Sequence, residues 1–104
     1  MNFQPKILIA NGVNLDLLGV REPHLYGHQR LQDIETMIRQ QSPGMAALFG
    51  LDTPELHFFQ SNHEGSFLDC LSQGWSGALL NPGAWTHTSL ALADRLAALQ
   101  LPFV

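Results

Sequence analysis

The sequence predicts a single α/β domain, a parallel sheet with helices on both faces, and three observations carry that prediction. Four apolar runs of strand length recur along the chain, at residues 7–10, 55–60, 78–80 and 101–104. Between them lie segments whose apolar residues return at three- and four-residue spacing, the period of a helix. Strands that alternate with helices build parallel sheets through right-handed crossovers. Finally, the runs at 7–10 and 78–80 lead into polar, glycine-marked loops at residues 11–27 and 81–89. Open α/β sheets bind their ligands there, beyond the carboxyl ends of the strands.

Each element follows in order. Ile7, Leu8, Ile9 and Ala10 suit a strand covered on both faces. Residues 11–29 then form a long polar loop with Gly12, Gly19, Pro23 and Gly27, and a loop of that length in a small domain is usually functional. Leu31, Ile34 and Ile38 give a helical stripe, with Asp33 and Glu35 near its start, where the helix dipole favours acids. Ser42, Pro43 and Gly44 predict a stop to that helix, with residues 45–49 as a separate helical turn closed by Gly50. Residues 55–60 read as the second strand and 61–65 as a turn. Phe67, Leu68, Leu71 and Trp75 form the apolar face of the next helix, with Gly74 as its C-terminal cap. The third strand, 78–80, stops at Asn81, Pro82 and Gly83. A third helix is predicted from about His87 to Leu99, with Leu92, Leu96 and Leu99 in register. Residues 101–104 read as the opening of a fourth strand, so the natural domain is expected to continue beyond Val104.

Composition narrows the function classes. The chain has 104 residues, 45% hydrophobic and only 13% charged, a balance that favours a packed globule over disorder. A chain of this length buries about two-thirds of its unfolded surface, enough for one core. The net charge is −4 and the five lysines and arginines are scattered. Nucleic-acid binding needs clustered positive charge and is not expected. The one cysteine, Cys70, falls within an apolar helical pattern and reads as a small buried hydrophobe. No run approaches the ~20 apolar residues of a membrane span. The amino terminus lacks the long apolar region of a secretory signal, so a soluble, cytoplasmic protein is the expectation.

The loops hold the chemistry. The first offers Asn14, Arg21 and Tyr26, with Pro23 between the last two. A phenol is a poor base at neutral pH, but a nearby guanidinium favours the phenolate and brings it into a useful range for proton abstraction. The spacing by itself fits more readily a surface arginine beside a tyrosine packed on the protein. The second loop offers Asn81 at the strand end, and His87 and Thr88 near a helix N-terminus, where free backbone N–H groups attract anions. Thr86 as a helix cap and His87 as a solvated first-turn residue account for the same pattern. His63 and Glu64 are adjacent, but no ligand spacing supports a metal site. There is no P-loop, no G-x-G-x-x-G after the first strand, and no nucleophile elbow.

Three motifs together resemble those of type II 3-dehydroquinate dehydratases, the small flavodoxin-like dehydroquinases. The family's N-G-P-N-L-N-L-L-G-x-R-E-P-x-x-Y-G stands here as N-G-V-N-L-D-L-L-G-V-R-E-P-H-L-Y-G over residues 11–27. Its Q-S-N-H-E-G is residues 60–65, and its N-P-G-A-[YF]-T-H-T-S is residues 81–89, with Trp85 at the aromatic place. The resemblance covers nearly the whole chain. It implies a flavodoxin-like three-layer sandwich, lacking the final strand and helix, in one dehydroquinase-like domain over residues 1–104. It further implies a trans elimination of water from 3-dehydroquinate through an enolate. Tyr26 matches the base that takes the C2 proton, Arg21 the lid arginine that lowers its pKa, and Asn14 the asparagine that stabilises the enolate oxygen with a bound water. Asn81 and His87 match residues that hold the substrate's hydroxyls, and Asp94 matches an acid that reaches a neighbouring subunit's site. The family uses no metal or organic cofactor and assembles as trimers packed into dodecamers.

Three departures from the family pattern bear on that reading. Val13 replaces the loop proline and Asp16 an asparagine. Residues 41–54 are irregular for the connection they make. In the family the fourth strand runs on as E-V-H-[IL]-S-N, whose histidine donates the proton to the leaving hydroxyl. That segment, the later substrate-binding arginine, the fifth strand and the final helix are not among these 104 residues. Two other readings therefore stand beside the active dehydratase. One is a catalytically impaired relative that binds ligand or serves in assembly. The other is a flavodoxin-like flavin or nucleotide binder, disfavoured by the missing phosphate loop.

Overall fold

The computed structural model describes residues 4–104, the side chain of Tyr26 excepted. Strands β1 (Lys6–Asn11), β2 (Glu55–Gln60) and β3 (Gly77–Asn81) form one parallel sheet in the order β2-β1-β3. A 3-10 turn (Leu15–Leu17) and a short helix α1 (Pro23–Tyr26) lie in the first loop. Helices α2 (Leu31–Leu48), α3 (Glu64–Cys70), α4 (Trp85–Thr88) and α5 (Leu90–Leu99) complete the described residues. The last residues start a fourth strand on the outer side of β3. Phe103 bridges Ala78 in parallel sense, and the Val104 N–H donates to the Ala78 carbonyl at 3.1 Å.

The alternation of side chains along a strand sorts the sheet into two faces. Leu8, Ala10 and Ala78 face one way and meet Phe67 and Leu71 of the α3 segment, Leu92 and Leu96 of α5, and Leu101 in a single core. Phe59 and Leu80 flank that core, as do Trp75 and Trp85. The Trp75 indole N–H donates to the Cys70 carbonyl at 2.7 Å, which satisfies its polar end. Cys70 is itself buried, as its pattern predicts. On the other face α2 lies against β1 and β2. The Arg39 guanidinium stacks 4.6 Å from the Phe58 ring centroid, and Ala46 is buried beside Ile7. The cover is partial. Ile9 and Leu79 are register partners on this face, yet Ile9 is 4% exposed and Leu79 46%.

Two helix boundaries differ from those the sequence predicts. Ser42, Pro43 and Gly44 do not stop the first long helix, which runs unbroken to Leu48 with Pro43 inside it. A proline here removes one i→i−4 hydrogen bond. The apolar stripe of Leu31, Ile34 and Ile38 continues through half-buried Ser42 to buried Ala46, so packing on the sheet outweighs the local breakers. Conversely, the single helix predicted over 87–99 is two helices. Ser89 takes an extended conformation (φ −94°, ψ 97°) and its hydroxyl accepts the Leu92 N–H at 2.9 Å, capping α5. The residue that caps is thus Ser89, not Thr86. Gly74 caps nothing directly: α3 ends at Cys70, four residues earlier.

Candidate functional site

Register aligns the strand ends. Asn11 pairs with Gln60 on one side and with Asn81 on the other, so three carboxamide residues stand in one row at the carboxyl edge of the sheet. The two glycine-marked loops leave from that row and interlock. The Gly12 N–H donates to the Asn81 carbonyl at 2.8 Å. A Cβ at Gly12 would sit 2.4 Å from the Pro82 carbonyl oxygen. Gly83, at φ +64°, holds the second loop in a left-handed turn, and a Cβ there would meet the Val13 carbonyl at 2.9 Å. Only glycine allows the two backbones to come this close.

An open cleft of about 280 Å³ lies between the loops and brings together Asn14, Arg21 and Asn81, with Val13, Leu15 and Gly83 also on its walls. Asn14 has left-handed geometry (φ 67°, ψ 1°), which asparagine tolerates better than most residues. Its N–H donates to Asn62 Oδ1 at 2.7 Å, and its carbonyl accepts the Leu17 N–H at 3.0 Å. Asn81 Oδ1 accepts the Gly83 N–H at 3.3 Å, which leaves its Nδ2 hydrogens as donors for a ligand. Arg21 adds a guanidinium, whose planar fork matches a carboxylate. A polar, anionic or hydroxylated small molecule fits this combination of a cation, two carboxamides and leucine walls.

The predicted residues are distributed unevenly. Asn14, Arg21 and Asn81 share the cleft. His87 lies exposed in α4, and Asp94 lies exposed in α5; neither lines the cleft. The backbone of Tyr26 ends α1, directly after the Arg21–Glu22 turn, and its side chain lies outside the described residues. Two residues with no role assigned from sequence emerge beside Asn14. Gln60 Nε2 donates to the Gly12 carbonyl and to Asn62 Oδ1, both at 3.2 Å. The sequence signal for them is the Q-S-N-H-E-G motif that contains both, and their link to the first loop becomes readable only once the strands are paired. A second, apolar groove of about 480 Å³ runs between β3 and α5, lined by Leu80, Trp85, Leu92, Leu96, Phe103 and Val104 among others. Among the described residues no group of three or more His, Cys, Asp or Glu side chains could hold a metal ion, and no helix is long and apolar enough to cross a membrane.

Known proteins are similar to this chain in sequence and architecture. The family model described as dehydroquinase class II matches residues 5–104. A catabolic 3-dehydroquinase 2 of Aspergillus flavus is 48% identical over 103 residues, which are 96% of this chain and 64% of that protein. A 3-dehydroquinate dehydratase of Bacillus licheniformis is 45% identical over 103 residues, 96% of this chain and 66% of its own length. Among solved structures, the type II dehydroquinase of Propionibacterium acnes superposes with a TM-score of 0.75 at 29% identity, covering 99% of this chain and 68% of that one. The chain therefore spans about two-thirds of the length of the relatives it matches. With its parallel β2-β1-β3 sheet and its paired strand-end loops, the chain belongs to the class II dehydroquinase family.

Proposed function

We propose that this chain acts on 3-dehydroquinate, eliminating water to give 3-dehydroshikimate. The observation that carries this reading is the meeting of Asn14, Arg21 and Asn81 in one cleft at the carboxyl edge of the sheet, within a family match spanning residues 5–104. Relatives of both fungal and bacterial origin bear the names 3-dehydroquinase or 3-dehydroquinate dehydratase.

In the proposed reaction the Tyr26 phenolate takes the C2 proton, and the electron pair of that C–H bond moves into an enolate. Arg21 favours the phenolate by its charge. Asn14 donates to the enolate oxygen as negative charge develops there, the kind of preorganised donor that stabilises such intermediates. Asn81 offers its Nδ2 hydrogens to a substrate hydroxyl, with His87 as a second hydroxyl partner. The enolate then collapses, the C1–O bond breaks, and the departing hydroxyl leaves as water with a proton from solvent or from a histidine of the segment that follows in the family pattern. A general acid is worth about 10²–10⁴-fold, so turnover by these 104 residues alone is slow on this reading. No metal or organic cofactor takes part. The same proposal places the chain in the cytoplasm as one dehydroquinase-like domain. It assembles through trimers into dodecamers, with exposed Asp94 reaching a neighbouring subunit's cleft.

The test is turnover of 3-dehydroquinate, followed by the ultraviolet absorbance of the conjugated product, with Tyr26→Phe as control and titration calorimetry alongside. Turnover that Tyr26→Phe abolishes supports the reading. Binding without turnover points to a chain that keeps the pocket but not the acid. The absence of both binding and turnover refutes the proposal. Sedimentation showing a well-behaved monomer counts against the trimer.

A further inference from the structure

We infer that Gln60 and Asn62 are the positioning residues that hold Asn14 in the cleft, an inference that rests on the dehydroquinate reading above and extends it to two residues with no assigned role. Asn14 sits in a left-handed conformation at the start of a 3-10 turn, where an asparagine side chain has several geometries open to it. What restricts it is the carboxamide of Asn62, whose Oδ1 accepts the Asn14 N–H at 2.7 Å. A carboxamide has one acceptor atom, so this bond fixes which way the Asn62 amide points. Gln60 then spends both hydrogens of Nε2. One goes to the same Asn62 Oδ1 and the other to the Gly12 carbonyl, each at 3.2 Å.

The result is a closed circuit. Gln60 is anchored in β2, opposite Asn11 of β1. It ties the first residue after β1 (Gly12) to the residue after the β2 turn (Asn62), and Asn62 in turn holds the Asn14 peptide. The Asn14 carbonyl is held as well, by the Leu17 N–H at 3.0 Å. With both sides of its backbone fixed, Asn14 presents its side chain to the cleft it shares with Arg21 and Asn81. Asn62 and Asn14 are exposed, so the brace adds little to the core. Its effect is on where Asn14 stands.

The experiment compares the wild-type chain with Asn62→Ala, Asn62→Asp and Gln60→Glu. Three quantities are read: amide hydrogen exchange at Asn14 by ¹⁵N NMR, affinity for 3-dehydroquinate by calorimetry, and the thermal midpoint. In Asn62→Ala the Asn14 amide exchanges about tenfold faster, the scale of one lost hydrogen bond, and affinity falls several-fold while the thermal midpoint barely moves. Gln60→Glu, which replaces the Nε2 donor with a carboxylate oxygen facing two acceptor oxygens, has the same effects. Asn62→Asp keeps an acceptor at Oδ1 and restores slow exchange at Asn14, a rescue that a general packing role does not produce. Wild-type exchange at Asn14 in Asn62→Ala overturns the brace, as does equal loss of protection in Asn62→Ala and Asn62→Asp. A wild-type chain that protects the Asn14 amide yet binds no 3-dehydroquinate overturns the substrate reading instead, so the two failures are distinct.

Discussion

Replacing Gly12 with alanine tests the central geometric claim, that the two strand-end loops are locked by direct backbone contact. The new Cβ lies 2.4 Å from the Pro82 carbonyl oxygen, 2.8 Å from its carbon and 3.0 Å from its Cα. All three are backbone atoms, so no side chain can rotate out of the way. To reach even 3.0 Å from the oxygen, the loops must separate by about 0.6 Å, which strains the 2.8 Å bond from the Gly12 N–H to the Asn81 carbonyl. Forced overpacking of this kind costs about 1–3 kcal/mol. In a domain of this size each kcal/mol shifts the thermal midpoint by roughly 4–8 °C, so Gly12→Ala is expected to lower it by about 4–24 °C. The same separation moves Asn14 from Asn81 and weakens ligand binding. Gly44→Ala is the control. Nothing lies within 4 Å of its Cβ position, and it sits inside α2, where alanine gains about 0.5–1 kcal/mol over glycine. Thermal unfolding by circular dichroism reads both variants. A Gly12→Ala protein that melts within about 1 °C of wild type, with ligand affinity intact, refutes the interlock.

Three further outcomes follow from the packing. Phe67 is 1% exposed and meets the Trp85 ring edge-on at 5.5 Å, so Phe67→Ala should cost about 3–5 kcal/mol, whereas Leu79→Ala at the uncovered sheet face should cost less than about 1 kcal/mol; urea titrations of the pair check the contrast. Pro43→Ala restores an N–H inside α2 and should stabilise the chain by about 1–3 kcal/mol, an increase that vanishes if the helix in fact stops at Ser42. Burial raises the Cys70 thiol above its ordinary value of 9.0. The folded state therefore holds this proton more tightly than the unfolded state, so the contribution is fully present below the unfolded pKa and is lost as pH rises through the folded one. Stability should decline above about pH 9 in the wild type and decline less in Cys70→Ala, and the native thiol should react slowly with a disulfide reagent until the chain unfolds.

Local signals determined much about this protein. The run Ile7 to Ala10, with Leu8, Ile9 and Ala10 all buried, declares a central strand because no other short element is apolar on both sides. The alternation of such runs with helical stripes declares a parallel sheet, and glycine-rich polar loops after the first and third strands mark the cleft. Asn14, Arg21 and Asn81 were legible because their motifs are long and ordered. What the sequence could not decide depends on contacts between residues far apart in the chain. Pro43 reads as a stop, yet α2 passes through it, because burial of Ala46 against the sheet outweighs one missing hydrogen bond. The stripe of Leu92, Leu96 and Leu99 extends backward to His87 on paper, but the chain bends at Ser89, where a local hydroxyl cap competes with helix continuation. The Gln60–Asn62–Asn14 circuit exists only after β1 and β2 are paired in register, since the bonds that join its two halves each link residues 48 apart in sequence. Propensity and period act within a few residues and can be read from a string. Strand register and close backbone approach are properties of the assembled sheet, and they decide where the polar groups of the cleft finally stand.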